Sequence, residues 1–186
     1  MSHCDGLVML PTTTAVYVLN PATGDVLRLP NKMDVSQTYS FGFDCRTNKY
    51  KVARFFYRLW YQSELMMRGW KCSVCGGDSV WRSTVDDPPY PILPQHQTYF
   101  KGSVYWVIWE EMLDKPSGGF LRFSLEDETF GFIRQPASLS DGNKVNLSVL
   151  GGELCLVECF PEQIMVTRKS WRASLRLVNI IPIFLL

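Results

Sequence analysis

The sequence predicts an all-β fold made of repeated small sheets. Short β-branched and aromatic runs recur along the chain, turn formers punctuate them, and helix signals are scarce. A glycine-led pattern returns at a period near 50 residues: Gly102 and Gly152 lie 50 positions apart, and Gly6 and Gly102 lie 96 apart.

Ala15–Leu19 is the first strong strand. Asn20-Pro21-Ala22-Thr23-Gly24 closes it, and Asp25–Pro30 returns as a hairpin partner. Its alternation places Val26 inward, with Leu29 a second inward candidate. Tyr39–Asp44 forms the next strand, and Arg46–Lys49 is a polar turn for which Asp44 suits an Asx-type bond. Tyr50–Phe55 alternates out of that turn. Arg58–Arg68 tolerates either two helical turns or a strand with a long loop. Val85–Pro94 carries four prolines and is expected to be a loop, since proline cannot donate within a central strand. Val104–Trp109 is strongly apolar, and Glu111–Gly119 is a polar connection. Phe120–Leu125 and Thr129–Ile133 flank the turn Glu126-Asp127-Glu128, and Leu147–Leu150 and Glu153–Val157 flank a hairpin at Gly151-Gly152.

The units share one grammar: a glycine turn, a strand, a loop, a strand, a polar turn, another strand, then proline. A period near 50 matches kelch-like blades, which bury their faces by stacking around an axis, so the expected fold is an incomplete kelch-like β-propeller. A β-sandwich is the alternative.

Composition narrows function. The chain has 186 residues with 46% hydrophobic content, enough for a core, and a formal net charge of +1. A balanced charge gives no electrostatic reason to expect nucleic acid or an anionic membrane as partner. No signal peptide is read at the start, so the six cysteines are expected as reduced thiols, in cytoplasm or nucleus.

Site chemistry is equally sparse. Cys72-Ser73-Val74-Cys75 is half of a zinc motif without its second pair, so no metal is expected. There is no G-x-S-x-G elbow and there are two histidines, and the adjacent carboxylates Asp86-Asp87 and Glu110-Glu111 suit solvated positions. Neither catalytic residues nor a cofactor are expected. The run Phe55–Tyr61 is too aromatic for both faces of an edge strand to be covered. Since aromatic and arginine side chains anchor protein interfaces, Tyr57, Arg58, Trp60 and Tyr61 are the candidate target-binding residues.

The ordered motifs resemble plant F-box-associated domains. They are Cys4-Asp5-Gly6-Leu7-Val8, Asn20-Pro21-Ala22-Thr23-Gly24, Phe41-Gly42-Phe43-Asp44 with Tyr50-Lys51-Val52, Gly102–Trp106, Phe123–Phe130 and Leu150–Cys155. The resemblance runs from about Cys4 to Val157, which sets the expected domain at 1–157 and leaves 158–186 as a divergent C-terminal tail. It implies the substrate-recognition part of an F-box subunit of a cullin-based ubiquitin ligase, binding a target protein, glycosylated ones included. A Skp-type adaptor is expected to dock only through an F-box, which does not precede Cys4, so the chain reads as a fragment or an altered gene model. The alternatives are a stand-alone propeller scaffold and a glycan-binding propeller. The motifs themselves read as framework.

Overall fold

The computed structural model describes residues 2–30, 36–60, 67–75, 80–135, 144–159 and 178–182. They form four antiparallel meanders in which the strand order in space is the order in sequence. Sheet I holds β1 (Ser2–Cys4), β2 (Leu7–Pro11), β3 (Val16–Leu19) and β4 (Val26–Leu29). Sheet II holds β5 (Ser36–Asp44), β6 (Lys49–Trp60), β7 (Met67–Cys75) and β8 (Trp81–Ser83). Sheet III holds β9 (Ile92–Phe100), β10 (Ser103–Ile108), β11 (Gly119–Ser124) and β12 (Phe130–Arg134). Sheet IV holds β13 (Lys144–Leu150), β14 (Glu153–Cys159) and β15 (Val178–Pro182).

The repeated glycine marks one conserved piece of geometry within the chain. In sheets I, III and IV the first two strands are joined by two residues that both have positive φ: Asp5-Gly6 (49°, 80°), Lys101-Gly102 (43°, 75°) and Gly151-Gly152 (61°, 80°). Two consecutive left-handed residues match the twist of the flanking strands, which is why Gly occupies the second position each time. Sheet II uses a longer turn. There Asp44 accepts the Arg46 and Thr47 backbone N–H groups at 2.9 and 3.3 Å, the Asx-type arrangement its sequence suggests.

First strands pack on first strands: β1 lies against β5, β5 against β9, and β9 against β13. The sheets thus stack about an axis as consecutive blades, although among the described residues no strand pairing closes them into a ring. Alternation then divides each interior strand between two neighbours. On β6, Val52 faces sheet I, where it joins Met9, Val16 and Phe41; Ala53, Phe55 and Tyr57 face sheet III. On β10, Val104, Trp106 and Ile108 face sheet II, while Tyr105 and Val107 meet Leu154 and Leu156 of sheet IV. One core per gap, instead of one core between two sheets, settles the fold as propeller-like and removes the sandwich alternative.

Several expectations change. β6 is flanked by β5 and β7, so it is an interior strand and both of its faces are covered through Tyr57. Arg58–Trp60 and Met67–Arg68 are paired strand residues, which leaves no helix at either end of that segment. Leu29 is buried, but Val26 is 63% exposed, because β4 is the outermost strand of sheet I and Val26 starts it. β9 begins inside the proline-rich segment. Pro94 is tolerated because β9 lies at the sheet edge and its pairing with β10 is interrupted between Trp106 and Ile108. Finally, β14 runs to Cys159 and β15 pairs with it, so strand structure extends beyond residue 157. Val178–Pro182 is the outer strand of sheet IV among the described residues.

Candidate functional site

The turns that join first to second strands emerge at one end of the four sheets, together with the third-to-fourth turns of sheets I and III. Side chains tie these turns together. The Tyr50 hydroxyl reaches Asp5 Oδ2 at 3.4 Å, joining sheets II and I. The Tyr99 hydroxyl donates to the Phe43 carbonyl at 3.0 Å and accepts the Gly102 N–H at 3.2 Å, joining sheets III and II. Gly42 makes room for that crossing, since a methyl group there would overlap the Tyr99 ring. Burial raises the Tyr99 pKa, and its two backbone hydrogen bonds oppose the rise.

An ion network closes the gap between sheets II and III at this end. Lys51 Nζ stands 2.7 Å from Asp44 and 2.9 Å from Glu128, and it donates to the Leu125 carbonyl at 2.6 Å. Arg82 holds both Glu128 oxygens, and Arg46 Nη2 donates to the Glu126 carbonyl at 2.6 Å. Burial acts to raise the Asp44 pKa, but hydrogen bonds from Lys51 and Thr47 outweigh it and hold the carboxyl at about 2. Glu128 is likewise lowered: Arg82 and Lys51 prevail over its burial. These charges are a lock between blades, satisfied by the chain itself.

The same end opens on the axis as a cavity of about 510 Å³, lined by the turn-side ends of β1, β9 and β13. His3, Asp5 and Lys101 are exposed at its rim. Cys4 in its wall is buried, which with the adjacent Asp5 pushes the thiol up to about 12 and leaves it protonated and unreactive. Deeper along the axis the first strands bond directly. Thr38 meets Gln97 at 3.2 Å, His96 Nδ1 meets Asn146 Oδ1 at 2.5 Å, and Thr98 donates to the Leu147 carbonyl at 2.7 Å.

Three of the four residues singled out from sequence, Tyr57, Arg58 and Trp60, lie at the opposite end of sheet II. Tyr57 is 9% exposed and belongs to the core between sheets II and III. Its hydroxyl donates to the Ile92 carbonyl and accepts the Ile92 N–H at 3.0 Å, and burial pushes its pKa up to about 12. This is a packing position and not an exposed one. Tyr57→Phe should cost about 1–3 kcal/mol, because both Ile92 groups then stay buried without that partner; equilibrium urea unfolding reads it. Arg58 and Trp60 lie on β6 opposite Gly69 and Met67, and Tyr61 falls outside the described residues. Among the described residues β6 pairs with β5 as far as Tyr57 and with β7 as far as Trp60. Cys75 of the CxxC pair is buried between sheets I and II. Among the described residues no group of three or more His, Cys, Asp or Glu side chains is placed to hold a metal.

Sequence reasoning missed Asp5 and Lys101. The available signal was their equivalence: each directly precedes the turn glycine of its blade.

Comparison with known proteins agrees with this architecture. The family described as F-box associated beta propeller domain matches residues 1–176. An F-box/kelch-repeat protein of Arabidopsis thaliana is 29% identical over 161 residues, covering 81% of this chain and 40% of that protein. An F-box protein of the same plant is 28% identical over 183 residues, covering 84% of this chain and 43% of its own length. A putative F-box protein, also from Arabidopsis thaliana, is 28% identical over 141 residues, covering 72% of this chain and 38% of its own length. The chain therefore spans well under half the length of each of these relatives. With stacked antiparallel meanders, the recurring turn and a match across most of its length, the chain belongs to the F-box associated beta propeller domain family.

Proposed function

We propose that this domain is the target-recognition part of an F-box subunit of a cullin-based ubiquitin ligase, that it binds a protein and performs no catalysis itself, and that the turn end of the propeller is the docking surface. In this reading an F-box elsewhere in the full-length protein docks the Skp-type adaptor, and the complex works in cytoplasm or nucleus. The observation that carries the reading is the gathering of turns from successive blades around an axial cavity. Loops on a rigid sheet scaffold can vary without loss of core, and a concave centre offers a place for a protruding segment. Family membership supplies the ligase context.

The test is reconstitution of the full-length protein with the adaptor and cullin, followed by capture of ubiquitinated proteins with and without this domain. Deleting the domain should abolish capture of specific targets while adaptor binding persists. Equal target capture by the F-box segment alone would defeat the reading. The far end of the β6–β7 pair, with Arg58 and Trp60 and with Tyr61 next in sequence, is a second candidate contact. Alanine at Arg58 and Trp60 should weaken capture at unchanged adaptor binding if that end takes part.

A further inference from the structure

Two charged side chains occupy equivalent, conformationally costly positions at the rim of the axial cavity. Asp5 and Lys101 are each the first residue of the two-residue turn in their blades, with φ of 49° and 43°. The corresponding residue of sheet IV is Gly151, with φ of 61°. Glycine adopts this region freely; aspartate tolerates it, and lysine has no local bond that compensates for it. Residues held in such regions concentrate where their side chains serve function.

The surroundings leave both charges available. Asp5 is exposed, and its contacts are long: the Tyr50 hydroxyl at 3.4 Å and the Cys4 thiol at 3.5 Å. Lys101 is exposed, and its ammonium lies over the Phe100 ring, 5.0 Å from the centroid. Among the described residues neither takes part in an ion pair. The gap between sheets II and III behaves differently, since its charges neutralise one another. Opposite charges therefore stand on two walls of one cavity, with Ser148 and Val149 of sheet IV forming a third, uncharged wall.

We infer that the axial cavity receives an extended segment of the target that carries a basic and an acidic side chain, the basic one directed to Asp5 and the acidic one to Lys101. Rim charges of this kind contribute little raw affinity but set partner choice and orientation, because the reversed arrangement is repelled. The inference rests on the turn end being the docking surface.

A phage-displayed library of random twelve-residue peptides, panned on the whole chain, tests it. Enriched peptides should carry both charge signs. An enriched peptide, measured by fluorescence polarisation, should bind Lys101→Glu and Asp5→Lys about tenfold more weakly. Panning on Lys101→Glu should replace the acidic residue by a basic one. Lys101→Gly should weaken binding while keeping or raising the thermal midpoint, since glycine relieves the turn. Failure to enrich any peptide, or affinities within twofold of wild type for both reversals, overturns the inference.

A bulky maleimide on exposed Cys45, in the adjacent turn of sheet II, separates the two ideas, with Cys45→Ser as the labelling control. A peptide blocked by that group but indifferent to the reversals sinks the inference and leaves the docking surface standing. A peptide indifferent to both sinks the two together.

Discussion

Replacing Lys51 with methionine is expected to destabilise the domain by about 3–5 kcal/mol, measured by urea unfolding at neutral pH. The side chains of Lys51 and Asp44 are 7% and 0% exposed, so the variant leaves a buried carboxylate without its counter-charge. The hydrogen bonds from Thr47 and from the Arg46 and Thr47 backbone remain, but the charge compensation is gone. The pH dependence follows from the direction of the shift. The folded-state pKa of Asp44 is depressed from 3.8 to about 2. Its stabilising contribution is therefore fully present above about pH 4 and is lost as the pH falls through about 2. In the variant, burial acts on Asp44 without Lys51 to oppose it, so its pKa moves up and acid sensitivity begins at higher pH. The difference between variant and wild type should consequently shrink between pH 7 and pH 2. A neutral-pH cost below about 1 kcal/mol, typical of a solvated surface pair, would show that the network is not buried in solution.

Trp106→Ala should be comparably severe, at about 3–5 kcal/mol. Trp106 is fully buried on β10, packs edge-on against Phe55 across the gap to sheet II, and lies beside Phe123 within sheet III. Its indole N–H donates to Ser40 Oγ at 3.2 Å, so alanine also removes a buried hydrogen bond. The cavity would lie in the middle of the gap, flanked by β-sheets whose backbones cannot collapse inward without breaking their ladders. Trp106→Phe, which keeps most of the volume, should recover a large part of the loss. Tyr105→Ala on the same strand opens the gap to sheet IV instead, and the two effects should be nearly additive because the sites face different cores. Strong non-additivity in the double variant would contradict two separate cores.

Much of the fold was legible from local chemistry. Gly151-Gly152 announces a tight hairpin because both residues accept the left-handed region, and the spacing of Gly6, Gly102 and Gly152 set the blade period. Asp44 could be read as a turn residue from its neighbours, but not as the partner of Lys51, since the network is completed by Glu128 and Arg82 from 77 and 31 positions beyond Lys51. The aromatic run of β6 was misread for a related reason. Whether a strand is interior or at an edge depends on what pairs with it, and β7 lies across a connection whose sequence carries no strand periodicity. The candidate site was less legible still. Nothing in the composition marks Asp5 or Lys101; the sequence shows only that each precedes the turn glycine of its unit, and their meeting at one cavity depends on how the blades stack.

The unbroken meander order has a consequence for how the molecule is made. Every sheet is assembled from one continuous stretch of chain, so each can form soon after it emerges from the ribosome, in order from the N-terminus. Its outward apolar side then waits for the next stretch to arrive: Val16 and Leu29 stay wet until Phe41 and Val52 are synthesised. Synthesis that stalls between two blades leaves a folded stack with one sticky end, a nascent species suited to capture by chaperones.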